Sequence, residues 1–284
     1  MHDQVESIGR GTLIQHGKYN DRIYLMKLHR EDCPEVLGEL RGIARENGYS
    51  KIFTKVPASA APLFIADGYI MEAHIPGFYK GKEAAFFLSK YLDSDRLMGV
   101  EYASLKELST LLGEKKGKSP KSRTPPKGSG KFNWRKLNEA DVEEITRIYL
   151  EVFLSYPFPI HNPGYILKTM KEDVRYYGVE KKGRLAAVAS ADVDRKGSNA
   201  EMTDFATLSD FRGKGLSVRL LIEMEKQMKK EGIQTLFTIA RLNSPAMNRT
   251  FLRLNYIYSG TLIRNTHIAG KLESMNVYYK QLKQ

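Results

Sequence analysis

Cysteine is nearly absent: Cys33 stands alone in 284 residues, so no intrachain disulfide can form and a reducing compartment is expected. Also missing is any apolar run of about 18 residues, the minimum for a membrane-spanning helix. The N-terminus lacks a charged segment followed by an apolar one, so no secretory leader is expected. These absences predict a soluble, cytoplasmic chain without a membrane partner. Acidic residues are in deficit, 33 against 45 Lys and Arg, giving a formal charge of +12.

That excess is local. Between Gly113 and Lys136 lie nine basic residues against one acid, Glu114. The same stretch holds Pro120, Pro125 and Pro126 among glycines and serines, with too little apolar content to order itself. Residues 113–130 therefore read as a flexible basic linker between a 1–112 domain and a 131–284 domain. Without interleaved aromatics the linker offers no base-stacking platform, so a nucleic-acid partner is not expected.

The stretch Thr203–Ser217 reads as a strand, a glycine-bearing turn and the start of an amphipathic helix. A helix N-terminus presents unpaired amides and partial positive charge, which hold phosphate, and Gly213 and Gly215 let the backbone close around a pyrophosphate. The turn is too short for a Walker loop, and Val218 stands where GxGxxG needs its third glycine.

Around this turn the pattern predicts a strand at 131–137 and a helix at 139–153 capped by Asn138. A short helix at 163–171 follows, with strands at 174–180, 185–193 and 200–208. Then come a helix at 216–231, a strand at 234–240, a helix at 244–253 and a closing hairpin at 256–264 and 274–280. Arg212, Gly215 and Ser217 sit at the Arg/Gln-x-x-Gly-x-Gly/Ala spacing of the GNAT superfamily of N-acetyltransferases. With the element order, they make residues 131–284 resemble that family. Ser217 departs from the pattern but is small.

The resemblance implies an α/β (α+β) acyltransferase fold with a central mixed sheet, acetyl-CoA as cosubstrate and no metal. It implies acetyl-CoA contacts from Phe205, Ala206, Thr207, Leu208, Arg212, Gly213, Lys214, Gly215, Leu216 and Ser217, and from Asn243 and Asn248. Glu201 falls where many members carry the general base. Asp204 competes for that role from the opposite face if the strand is regular. An amine acceptor is an ammonium near neutral pH, so a carboxylate must remove its proton before attack. The tyrosine that often protonates the leaving thiolate is missing, since positions 250 and 251 are Thr and Phe. Tyr256 is the candidate acid, with Tyr258 behind it. Tyr156, Phe158 and His161 lie in the loop that lines the acceptor site in this fold.

Residues 37–75 and 221–262 both run helix, glycine stop, strand, short helix, aromatic-led strand. The first half is therefore expected to be a degenerate, partial repeat of the same fold without the phosphate turn, shaping the acceptor pocket. Its helix, ending near Asn47, is expected to be capped by Asp32. A fragment 131–284 is expected to keep acetyl-CoA binding on its own.

The stretches 48–57, 68–81, 155–160 and 201–217 resemble the β-lysine N-acetyltransferases along the whole chain. That resemblance implies acetylation of the ε-amine of L-β-lysine to give a compatible solute, and it admits a homodimer. A protein-lysine acetyltransferase and a non-catalytic acetyl-CoA-binding module are the alternatives.

Overall fold

The computed structural model describes residues 3–116 and 132–282. Asn138 opens the C-terminal half as expected, its side chain accepting from the Ala140 amide while Asp141 returns a bond to the Asn138 amide. This capping box leads into α5 (Val142–Val152), followed by α6 (Pro163–Lys171).

Seven strands form one sheet: β7 (Asn133–Lys136), β8 (Val174–Lys181), β9 (Arg184–Asp194), β10 (Asn199–Thr207), β11 (Thr235–Arg241), β12 (Ile257–Ile268) and β13 (Lys271–Gln281). Their order is β12-β13-β11-β10-β9-β8-β7. Between β10 and β11 runs α7 (Leu216–Lys230), whose Leu216, Leu220, Leu221, Met224 and Met228 are buried against the sheet. Each such side chain contributes about 1.5–3 kcal/mol on burial. Gly232, at φ 77°, ends the helix.

The N-terminal half repeats this plan. Its sheet has β1 (Gln4–Ile8), β2 (Thr12–Gly17), β3 (Arg22–Lys27), β4 (Lys51–Pro57), β5 (Ile70–Tyr79) and β6 (Glu83–Tyr91), in the order β1-β2-β3-β4-β6-β5. Helices α1 (Val36–Asn47) and α2 (Ala61–Ala66) follow β3 and β4 as α7 and α8 (Pro245–Arg253) follow β10 and β11. The parallel pair β3/β4 corresponds to β10/β11, and the first strand and two helices of the full fold are missing. The chain is a tandem of two acetyltransferase-like units, the first degenerate.

Asp32 does not cap α1. Its carboxylate accepts from the Arg10 and Thr12 amides and the Thr12 hydroxyl, fastening the β1–β2 turn, and α1 begins without a side-chain cap. The turn's need for acceptors wins because Glu35, already helical, separates Asp32 from the first turn.

The halves share a core. Tyr24, Phe53, Phe78 and Phe87 pack with Phe237, Leu262, Ile268, Met275 and Val277 in a single buried cluster. The β5 and β12 edges meet closely enough that a Cβ on Gly260 would overlap the Glu72 carbonyl oxygen. Buried Lys51 bonds both Glu72 (3.1 Å) and the Ile263 carbonyl (2.8 Å), tying the two sheets.

The expected linker starts too early. After the short helix α3 (Ser94–Met98), helix α4 (Tyr102–Lys116) runs through Gly113–Lys116 and packs on α8, with Leu111 inside the C-terminal core. The remainder of the expected linker lies outside the described residues. No helix among the described residues is long and apolar enough to cross a membrane.

Candidate active site

Strands β10 and β11 pair in parallel only through Asn199–Glu201 and Thr235–Phe237, although β11 continues to Arg241. Beyond Glu201 they part, so the β10 backbone turns unpaired groups toward the gap. At the same place β10 bulges against β9: Thr203 pairs with Ser190 and Ala206 with Val188, three steps against two. Asp204, at φ 55°, is the residue that absorbs the extra step.

The bulge corrects the opposite-face expectation for Asp204. Glu201, Thr203 and Asp204 all line one cavity of about 730 Å³ lying between the two sheets. Strict alternation would have separated Glu201 from Asp204; the left-handed backbone turns Asp204 back. Ser190 Oγ donates to Asp204 Oδ2 at 2.5 Å and the Tyr156 hydroxyl donates to Oδ1.

The opposite wall comes from the first repeat. Arg22, Tyr24 and Met26 alternate along β3, and Phe53 and Lys55 along β4, all facing the cavity. Tyr24 pairs with Phe53 across β3/β4 as Glu201 pairs with Phe237 across β10/β11. Equivalent registers of the two repeats thus confront one another.

The cavity is electrically divided. On one side stand Asp192, Glu201 and Asp204, and on the other Arg22 and Lys55; Asp3 of the first repeat and Lys168, Glu172 and Asp173 of the second also line it. Burial lifts the Glu201 carboxyl to about 7; Asp192 and Asp204 add to the rise, while Lys55 and the Ile239 amide oppose it. Asp204 is raised by burial against its hydrogen bonds from Ser190, Tyr156 and Thr203. Asp192 is raised as well, chiefly by desolvation in the cavity and then by Asp204, with Lys55 opposing. For Lys55 burial disfavours the charge, yet Tyr24, Tyr79, Glu201 and Asp192 outweigh it and hold the ammonium. Its Nζ also lies 5.4 Å from the Phe237 ring centroid.

Beside the gap, Gly215 precedes α7 at φ 71° with no side chain capping the helix, so first-turn amides stay available. Gly213, at φ 75°, has no atom within 4 Å of where a Cβ would stand. Arg212 Nε reaches the Thr207 carbonyl at 3.3 Å, and Thr207 and Ser217 hydroxyls lie 3.5 Å apart.

Over 271 residues the chain is 39% identical to the beta-lysine N(6)-acetyltransferase of Methanococcus maripaludis, spanning 95% of this chain and 96% of that protein. The beta-lysine N(6)-acetyltransferase of Methanosarcina mazei is 30% identical over 87% of this chain and 97% of its own length. N-acetyltransferase YodP of Bacillus subtilis is 30% identical over 99% of this chain and 100% of its own length. Residues 140–256 match the Acetyltransferase (GNAT) family.

The chain belongs to the GNAT acetyltransferases.

Within this GNAT N-acetyltransferase, three expected site residues are placed elsewhere. Asn248 is buried, its amide donating to the Arg241 and Leu242 carbonyls and its oxygen accepting from Asn276 and Tyr278. It clamps β11 to β13 and has no capacity left for a cosubstrate. Tyr256 is fully buried behind α7 with its hydroxyl against Glu225, outside the cavity. It packs on Phe251 at 5.2 Å, so its position is a core position. His161 likewise does not line the cavity, whereas Tyr156 and Phe158 do.

Asn243 is engaged from the other half of the chain. Its Nδ2 donates to Glu101 at 2.6 Å and its Oδ1 accepts from Ser104 at 2.5 Å, so both ends of the amide are occupied. Glu101 also accepts from the Ser274 amide at 2.9 Å. The acetyltransferase core is thereby stitched to the segment that enters α4.

Arg22, Tyr24 and Lys55 escaped the sequence reading. Residues 1–31 carry no motif, and only the pairing of β3 with β4 turns these side chains toward Glu201. An alternating Arg-x-Tyr-x-Met stretch was the available signal, but it reads as any half-buried strand.

Proposed function

We propose that this acetyltransferase moves the acetyl group of acetyl-CoA to the ε-amine of L-β-lysine, giving Nε-acetyl-β-lysine as a compatible solute in the cytoplasm. The observation that carries the reading is the divided cavity, with Arg22 and Lys55 of the first repeat facing Asp192, Glu201 and Asp204 of the second. An acceptor bearing both amines and a carboxylate matches such a cavity, and the full-length relatives named for β-lysine acetylation agree with it. A cavity walled by both repeats suits a small acceptor better than a lysine on a protein surface.

Acetyl-CoA, when bound, supplies the thioester-activated acetyl group. The amides at the start of α7 and the open turn Gly213–Gly215 are suited to its pyrophosphate, with Arg212 and Lys214 beside them. Phe205–Thr207 would present backbone amides to the carbonyl oxygen. Glu201, raised to about 7, is suited to take the proton from the acceptor ammonium. Asp204, fixed by Tyr156 and Ser190, then serves to hold that ammonium in place. No tyrosine is assigned to protonate the leaving thiolate.

The test is CoA release measured with acetyl-CoA and, in turn, β-lysine, lysine, polyamines and a histone-type peptide. β-Lysine is expected to give the highest kcat/KM. A peptide that outperforms it would replace the proposal with a protein-lysine acetyltransferase, and no CoA release from any amine would leave a binding module.

A further inference from the structure

Arg22 is a buried cation without a carboxylate. It is 3% exposed and, among the described residues, forms no ion pair, with Asp3 and Glu72 acting on it only at longer range. One guanidinium nitrogen donates to the Asn265 carbonyl and, at 3.2 Å, to Thr266 Oγ1, while Nε has no hydrogen-bond partner among the described residues. The guanidinium carbon sits 5.4 Å from the Tyr24 ring and 5.6 Å from the Phe53 ring, and the residue lines the cavity. Burial and the nearby Arg96 charge bring its pKa down to about 10, opposed by Tyr24 and by the more distant charges of Asp3 and Glu72.

A buried charge with no directly paired carboxylate is costly, and an incoming anion would offset that cost. A planar guanidinium pinned on one nitrogen and held over the stacked Tyr24 and Phe53 rings is prepared for a carboxylate. Its place is also suitable. Arg22 lies two residues before Tyr24 on β3, and Tyr24 occupies the register equivalent to Glu201. Two strand residues span roughly 7 Å, comparable to the separation of a carboxylate and a terminal amine on a short extended amino acid.

Resting on the function proposed above, we infer that Arg22 of the degenerate repeat receives the acceptor's carboxylate and thereby aims its terminal amine at Glu201 and Asp204. The first repeat lacks a phosphate turn, and its role is that of a carboxylate receptor for the second. Arg22 acts on selection of the acceptor, not on the acyl transfer itself.

The experiment compares β-lysine with its decarboxylated counterpart, pentane-1,4-diamine, as acceptors for the full-length enzyme. In Arg22→Met the KM for β-lysine is expected to rise roughly 10- to 100-fold, with kcat within about threefold, as for loss of a bond to a charged group. The KM for the diamine should stay unchanged or fall. Arg22→Lys should recover part of the β-lysine KM. Thr266→Val, which frees Arg22 from one anchor without removing charge, should give a smaller rise confined to β-lysine, and it serves if Arg22→Met does not fold. Equal losses on both acceptors, or no change on β-lysine, would overturn the assignment. A wild-type enzyme that acetylates the diamine but not β-lysine would overturn the function itself. That outcome is read before any variant is made.

Discussion

The Tyr156 hydroxyl donates to Asp204, joining the loop after α5 to the bulge of β10. Asp204 also takes the Ser190 hydroxyl, so its carboxylate is bound on both oxygens, whereas no side chain donates a hydrogen bond to Glu201 among the described residues. The two acids therefore hold different offices in one cavity. Glu201→Gln should lower kcat/KM by roughly 10²–10⁴ at neutral pH. Asp204→Asn should chiefly raise KM and keep the acidic limb of the pH profile. Steady-state kinetics on both variants decide it, and full activity in Glu201→Gln would move the base to Asp204.

The pH dependence follows in sign from Glu201. Its carboxyl is raised to about 7 and must be ionised to accept a proton, so kcat/KM should fall as pH drops through about 7. Lys55 opposes that rise by its charge. Lys55→Met removes the opposition, and the limb should shift to higher pH. A limb that stays in place, or moves to lower pH, would detach Lys55 from Glu201.

Gly215→Val should abolish acetyl-CoA binding. A β-branched side chain at φ 71° is strained and would invade the space over the α7 amides. Calorimetry should show at least a tenfold loss of affinity, with the circular dichroism of the folded protein retained. Unchanged affinity would place the pyrophosphate elsewhere.

Tyr256→Phe should leave turnover within about twofold, because its hydroxyl faces Glu225 and not the cavity. Losing that bond should instead cost on the order of 1 kcal/mol of stability, read as a lower denaturation midpoint. A large fall in kcat at unchanged stability would restore Tyr256 as the proton donor.

The shared core makes separation of the halves destructive. Without residues 1–112, Phe237, Leu262, Ile268, Met275 and Val277 would lose their apolar cover. The expected autonomy of a 131–284 fragment is therefore replaced by an expectation of aggregation, checked by soluble yield and light scattering. Gly260→Val probes the same contact in the intact chain and should destabilise by about 1–3 kcal/mol through the clash with Glu72. A soluble, monomeric fragment would show that the shared core is dispensable.

Local patterns in the sequence determined the elements of the second half, from the Asn138 capping box to the Gly232 stop. They also determined the glycine-bearing turn before α7, because its glycines, helix start and Arg212 are contiguous. The repeat in the first half was legible for the same reason, since 37–75 and 221–262 share an order of elements. Asp204 was misread because a bulge depends on how β10 registers with β9. Asn248 and Tyr256 were misplaced because motif spacing says nothing about which neighbours saturate a side chain. Arg22 and Lys55 meet Glu201 only when two sheets pack face to face. That meeting is made by long-range apolar burial, which fixes no spacing along the chain, so tertiary structure alone decided which charged groups share the cavity.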